Sequence, residues 1–319
     1  MRFFYIRHTL RGTGNHYTDP ETNEKKELTA LPFLAPGEDS TGEGYILSTK
    51  LGIYLKRRYN LQLGEIYTSN AQRTQQTGIA LARSIGLHQL QIGNNSSVFR
   101  GQGAHVNNIE EMKAKLKECE PRFLQLRKLV VEKFPSLPLT STVSSPELIY
   151  GLAEALRLIG TSVTFGHFTG DDLFPLSTVK ALTTGPMLNK EIEFSTVERM
   201  KRKVSSQFHY IRSKLHNIKD SIIVGHNTDM FCILKLLNLP IKFSGYDYYI
   251  PPLATIVIDV DHKYHKYVRV STISLTLEGK FKETFLREFN YGEFFSLVDN
   301  IIEPKYVKEE DEEIKNYRV

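Results

Sequence analysis

Phe3-Phe4-Tyr5-Ile6-Arg7-His8-Thr9-Leu10-Arg11 is the stretch whose reading decides the fold. Phe3 to Ile6 form a short apolar, aromatic run, which reads as a buried parallel strand. Arg7, His8 and Arg11 then fall in the turn at its C-terminal end, where open α/β sheets place their ligands. Arg takes phosphate in a bidentate grip, and His attacks phosphorus as a nucleophile. Two guanidinium forks around one imidazole therefore point to an anion site.

Two later segments repeat this layout. Glu65-Ile66-Tyr67-Thr68-Ser69-Asn70 reads as a strand entering a loop, and Ala71 to Arg83 as the helix that follows. Arg73 falls in the first turn of that helix, beside the positive end of its dipole. Ser221-Ile222-Ile223-Val224-Gly225-His226 reads as strand, tight turn and histidine, with a helix from Asp229 to Leu237. Gly225 is expected there to let the backbone turn sharply. Parallel strands of one sheet would bring Arg7, His8, Arg11, Arg73 and His226 to a common edge, the pattern of an anion-binding site.

These residues resemble the histidine phosphatase superfamily, in its acid phosphatase branch. The resemblance is carried by the Arg7 to Arg11 turn, the Leu51 to Tyr59 helix, Arg73-Thr74, His226-Asn227-Thr228 and the proline-containing segment Ile250 to Ile258, in the family's order. It implies an α/β three-layer sandwich with a largely parallel mixed sheet and an inserted helical cap. It implies phosphomonoester hydrolysis, with His8 as nucleophile, Arg7, Arg11, Arg73, His226 and Asn227 around the phosphate, and no metal or organic cofactor. Two positions depart from the pattern. Thr9 stands where the family has Gly, and Asn227 where the branch has the Asp that protonates the leaving group. An amide has no such proton, and the next carboxylate is Asp229. Asp229 is thus the candidate acid, with a helix-capping role as the alternative. A chain that binds a phosphorylated ligand with little or no turnover is the second functional reading, favoured by Asn227. A phosphoglycerate-mutase-type enzyme is a third, opposed by Pro251-Pro252 and the helical insertion.

Composition agrees with a small phosphorylated substrate. The chain has 319 residues, 40% hydrophobic and 24% charged, with a net charge of +5. That balance suits an anionic ligand, and without a dense basic stripe it does not point to nucleic acid. The longest apolar runs fall short of a membrane span. Cys119 and Cys232 have no metal-ligand spacing and are expected as free thiols. Few cysteines, and a strand beginning at about residue 2 with no room for a leader, give a reducing, cytoplasmic compartment as the expectation. A secreted or lysosomal location is the alternative if a leader has been removed. Oligomeric state is not legible.

Residues 12–43, rich in Gly, Thr, Pro and Glu, read as a long excursion bordering the site. A helix is expected from Gly44 to Tyr59. Residues 105–218 read as the mostly helical cap, with helices over Asn108 to Lys133, Glu147 to Ile159 and Thr196 to His216. Residues 1–104 and 219–319 read as the phosphatase core. His167, Asp171 and Asp172 lack metal-ligand spacing and read as a polar turn. His262 and His265 read as a solvated hairpin turn between Ile256–Val260 and Tyr267–Ser274. The acidic run Lys308 to Glu313 reads as a solvated tail.

Overall fold

The computed structural model describes residues 1–11, 39–87, 98–99, 190–191, 193–216, 219–244, 249–276 and 279–307. It also describes residues 121, 124, 128, 187, 246 and 247, and strand backbone at 16–18, 25–27, 89–92 and 315–318. The chain divides into two compact units. One comprises Met1–Leu10, Ser40–His105 and Thr196–Val319, and the other Arg11–Asp39 and Val106–Ser195.

The first unit is built on an eight-stranded sheet. In chain order its elements are β1 (Arg2–Arg7), α1 (Gly42–Tyr59), β4 (Leu63–Thr68), α2 (Gln72–Ile85), β5 (Gln89–Ile92), α3 (Val197–Ser213), β6 (Asp220–Gly225) and α4 (Asn227–Leu236). They continue with β7 (Lys242–Phe243), β8 (Tyr246–Asp247), β9 (Thr255–Val260), β10 (Tyr267–Leu275), β11 (Phe281–Asn290), α5 (Tyr291–Ile301) and β12 (Lys315–Arg318). In the second unit, β2 (His16–Thr18) and β3 (Lys25–Glu27) pair as an antiparallel ribbon.

The sheet order is β11-β10-β9-β1-β6-β4-β5-β12. The strands β1, β6, β4 and β5 are mutually parallel. β9, β10 and β11 run antiparallel on one flank, and β12 on the other. The fold is therefore α/β with a mixed open sheet, parallel through the middle where both faces are covered.

Alternation along β1 shows how the faces are covered. Phe4 meets Tyr59 at the end of α1, whereas Phe3 meets Tyr210 of α3. α1 packs on α2, and α3 packs on α4 and α5. Phe3, Phe4, Ile6, Ile222, Ile223 and Val224 are all buried, which is why β1 and β6 read as unbroken apolar runs.

The expected cap, 105–218, is divided in the structure. Its last helix, α3, belongs to the sheet unit, because Tyr210 bonds Ser221 of β6 and Ser205 bonds the Ile301 carbonyl of α5. The excursion at 11–39 instead joins 106–195 in the second unit. The expected helices over 108–133 and 147–159, the segment 165–172 and the run 308–313 lie outside the described residues, apart from a few isolated positions.

The hairpin expected from Ile256–Val260 and Tyr267–Ser274 is present as β9 and β10. The proline-containing segment is not one continuous strand. Pro251 to Ala254 form a turn, and β9 begins at Thr255, since proline lacks the N–H a ladder needs. Cys232 is a buried thiol outside any disulfide, and Cys119 lies outside the described residues. Among the described residues no helix is long and apolar enough to cross a membrane.

Candidate functional site

Register places three turns at one sheet edge. Arg7 at the end of β1 pairs with Gly225 at the end of β6, and Thr68 at the end of β4 pairs with Val224. The ladder continues one residue further: the His8 amide donates to the Gly225 carbonyl at 3.0 Å, and the Ser69 amide to the Val224 carbonyl at 3.2 Å. His8, Ser69 and His226 therefore emerge side by side. The His8 and His226 rings lie edge to face with centroids 5.5 Å apart. Arg73 is the second residue of α2, which follows β4. Its charge reaches His226, where it disfavours a second positive charge.

Arg7 is buried and anchored. Its Nη1 donates to the Tyr249 hydroxyl at 2.7 Å and to the Ile250 carbonyl, and its amide donates to the Ala254 carbonyl at 2.9 Å. The turn Pro251 to Ala254 also reaches His8, through the Leu253 amide and the His8 carbonyl, 3.4 Å apart. Leu253 holds a left-handed backbone, φ 60°, while fully buried. Such a conformation costs on the order of 1 kcal/mol for a non-glycine residue and collects at functional sites.

Thr9 has a structural reason to replace glycine. Its hydroxyl donates to the Gly44 carbonyl at 2.7 Å and its amide to Thr77 Oγ1 at 3.0 Å. The hydroxyl thereby ties the first turn to α1, and the amide ties it to α2. Close approach makes Gly44 necessary here, since a Cβ would lie 2.5 Å from the Leu10 carbonyl.

His8 Nδ1 is 2.9 Å from its neighbour's carbonyl, Thr9 O. A carbonyl only accepts, so Nδ1 carries a proton, and in the neutral ring the lone pair is on Nε2. His226 is the N-cap of α4. Its pKa is pushed down to about 4, chiefly by burial, with Asp229 opposing and Arg73, Lys203 and Arg7 adding to the depression. At neutral pH it is an uncharged imidazole.

Beneath His226 lies Asp229 with two partners that the sequence does not announce, Tyr5 and Lys203. Asp229 is fully buried, and its Oδ2 accepts from the Tyr5 hydroxyl at 2.7 Å and from the His226 amide at 3.1 Å. Oδ1 faces the Lys203 ammonium of α3 at 3.3 Å. Burial alone would raise the carboxyl pKa. Lys203, His226 and the two hydrogen bonds more than reverse this and hold it below the ordinary value. The expectation that Asp229 serves as the acid does not fit this geometry: an enclosed, ionised carboxylate has no proton to give. The alternative, a helix-capping role, is what the structure shows: Asp229 caps the start of α4 and ties it to β1 and α3.

Gly225 has a different purpose from the one expected. Its backbone is not left-handed. A Cβ there would sit 2.0 Å from the Tyr5 hydroxyl and 3.1 Å from Asp229 Oδ2, so glycine makes room for that bond. Asn227 is the first residue of α4 and is half-buried. Arg11 opens the second unit, directly after Leu10. Among the described residues no cluster of His, Cys, Asp and Glu has the arrangement of a metal site.

A parallel-centred sheet with antiparallel flanks makes this an open α/β fold, with a histidine following each of two neighbouring central strands. Among the solved structures to which the chain is similar are phytases. The apo phytase of Hafnia alvei matches with a TM-score of 0.70 at 16% identity, over 97% of this chain and 98% of that one. The same phytase in complex with myo-inositol hexakis sulphate gives 0.72 at 16% identity, with the same coverage of both chains. The phytase from Citrobacter braakii gives 0.73 at 15% identity, again over 97% and 98%. No protein-family model matches the chain, and no curated protein matches it.

Proposed function

We propose that this chain is a phosphomonoester hydrolase that works through a phosphohistidine on His8. The observation that carries the reading is the His8–Thr9 bond, which leaves the lone pair on Nε2, in a ring facing His226 at the edge of the parallel strands. Nε2 attacks phosphorus, an N–P bond forms, and the P–O ester bond breaks with its electron pair on the leaving oxygen. Arg7, Arg73, His226 and Asn227 hold the phosphoryl oxygens as charge spreads over them. Water then attacks phosphorus and the N–P bond breaks. Phosphate is released and the second proton of the water passes to solvent.

The leaving oxygen must find a proton. Asn227 has none to give, and Asp229 is held ionised beneath the turn. The reading is therefore a hydrolase whose leaving group departs unprotonated or takes its proton from water. Esters of acidic alcohols and phenols are its better substrates. Likeness to a phytase solved with myo-inositol hexakis sulphate favours a small, polyanionic phosphorylated substrate. Asn227 also favours a second reading, a phosphate-binding protein with little turnover.

The test is purified protein with an aryl phosphate, in wild type and His8→Ala, alongside vanadate binding. Turnover abolished by His8→Ala supports the hydrolase. Wild-type vanadate binding without turnover supports the second reading, and absence of both overturns the site.

A further inference from the structure

The hydroxyls beside His226 form a chain whose direction is fixed at one end. Thr74 Oγ1 lies 2.6 Å from the Ala71 carbonyl and 2.9 Å from the Ser69 carbonyl. Carbonyls only accept, so the single Thr74 proton goes to one of them. Thr74 Oγ1 also lies 2.8 Å from Ser69 Oγ. With its proton committed, Thr74 can only accept in that contact, and Ser69 is the donor. Ser69 Oγ in turn lies 2.9 Å from His226 Nε2. The one Ser69 proton is already directed at Thr74, so the hydrogen between Ser69 and His226 belongs to Nε2. The reverse assignment, with Thr74 donating to Ser69 and Ser69 to Nε2, leaves both carbonyls beside Thr74 Oγ1 without its proton, a loss that a buried site bears in full. Ser69 and Thr74 are both fully buried, so bulk water offers no other partner.

We infer that Ser69 is a positioning residue which, with Thr74, holds His226 in the Nε2–H tautomer, the opposite of His8. Its functional meaning rests on the reading of His226 as part of the phosphate site: an Nε2–H ring there is a hydrogen-bond donor that carries no charge. This agrees with the depressed basicity of the ring. Two neighbouring histidines at one sheet edge thus have different tasks, set by what each ring's second contact can accept. Thr9 O makes His8 a lone-pair donor at Nε2, and the Ala71 carbonyl, acting through Thr74 and Ser69 and joined by the Asp229 amide that the His226 ring accepts in the capping box, makes His226 a proton donor at Nε2.

The test is two-bond 1H–15N correlation spectroscopy on full-length protein labelled with 15N-histidine at neutral pH, with His226 assigned by its loss in His226→Gln. Wild type should show the Nε2–H pattern at His226. Ser69→Ala and Thr74→Val should each lose that pattern, with the ring moving to the Nδ1–H or an averaged form, while Thr74→Ser keeps it. The remaining histidines report whether each variant is folded, and either of the two disrupting variants suffices if the other fails to fold. An Nδ1–H pattern in wild type, or an Nε2–H pattern that survives in folded Ser69→Ala or Thr74→Val, overturns the inference. Vanadate titration separates it from the hydrolase reading. Ser69→Ala should weaken vanadate by roughly tenfold, about one lost hydrogen bond to an anion. Wild-type protein that binds no vanadate sinks the phosphate site but leaves the spectroscopic result standing.

Discussion

Replacing Lys203 by Met should destabilise the sheet unit by about 3 kcal/mol, and the deficit should shrink in acid. Asp229 is fully buried, and Lys203, itself mostly buried, is the cation that faces it. Removing one member of a buried ion pair leaves an uncompensated charge and costs ~3–5 kcal/mol. The Tyr5 hydroxyl and the His226 amide still bond Oδ2 in the variant, which places the cost at the low end. Without Lys203, burial becomes the dominant influence on Asp229 and raises its folded pKa above the unfolded value. A raised carboxyl means that the folded state binds the extra proton, so stability grows as pH falls towards the unfolded pKa. In wild type the sign is reversed, because the folded pKa is depressed. Its contribution is present above the unfolded pKa and lost as pH falls through the folded one. The double variant Lys203→Met/Asp229→Asn keeps a carbonyl acceptor for Tyr5 and His226 but buries no charge. It should recover all but about 1 kcal/mol, a coupling well beyond that of independent sites. The chain has no Trp, so urea unfolding followed by far-UV circular dichroism is the assay, at about pH 7 and about pH 5. A Lys203→Met loss below about 1 kcal/mol, or one equal at both pH values, would refute the reasoning.

Gly225→Ala should cost ~1–3 kcal/mol or more, because its methyl would overlap the Tyr5 hydroxyl and core overpacking carries that penalty. Gly225→Ala combined with Tyr5→Phe should recover part of it in the same unfolding assay. His226 has a folded pKa of about 4 against 6.5. It should therefore contribute stability that is full above pH 6.5 and lost as pH falls towards 4, by about 3 kcal/mol at most. His226→Gln should flatten the acid limb over that window, and an unchanged limb counts against a half-buried, neutral ring. For the reaction, a leaving-group series should show kcat/KM falling steeply as the alcohol becomes less acidic. Asn227→Asp should flatten that slope and raise rates on alkyl phosphates most, roughly 10²-fold for a restored general acid. Equal slopes in the two proteins would locate the proton donor elsewhere.

The parts of the fold legible in the sequence were those with a local cause. β1 and β6 were readable because strands covered on both faces are apolar throughout, and α2 because Arg73 and Thr74 open a helix after a short strand. The β9–β10 hairpin was readable from its two β-branched runs. β11 was not, because Phe281 to Asn290 lies at the sheet edge and mixes Lys, Glu and Arg with aromatics. Within the site, residues at strand ends were legible because strand-to-helix turns announce them. The Tyr5–Asp229–Lys203 group was hidden: Tyr5 looks like one more core aromatic, and Lys203 sits on a helix whose other cations are mostly on the surface. Nothing local joins these three residues, and the contact exists only because β1, α3 and α4 share one face of the sheet. Gly225 carried a misleading signal, since a glycine before a helix suggests a turn, whereas here the space is needed by a side chain from another strand.

The strand order has a kinetic consequence. β1 precedes both of its partners in the chain by more than two hundred residues, since they are Ser221–Gly225 and Thr255–Asp259. Until both have been synthesised and docked, this strand, with its buried Phe3 to Ile6 run, has two open edges, and the residue proposed as nucleophile sits at the end of it. Long-range pairings of this kind fold slowly, because loop closure must precede the contacts that reward it. Refolding from denaturant should therefore be slow and concentration-sensitive, with association through β1 competing with its insertion between β6 and β9. His8 and His226 come together only at that insertion, so recovery of vanadate binding should track the slowest folding phase rather than the earlier return of helical signal.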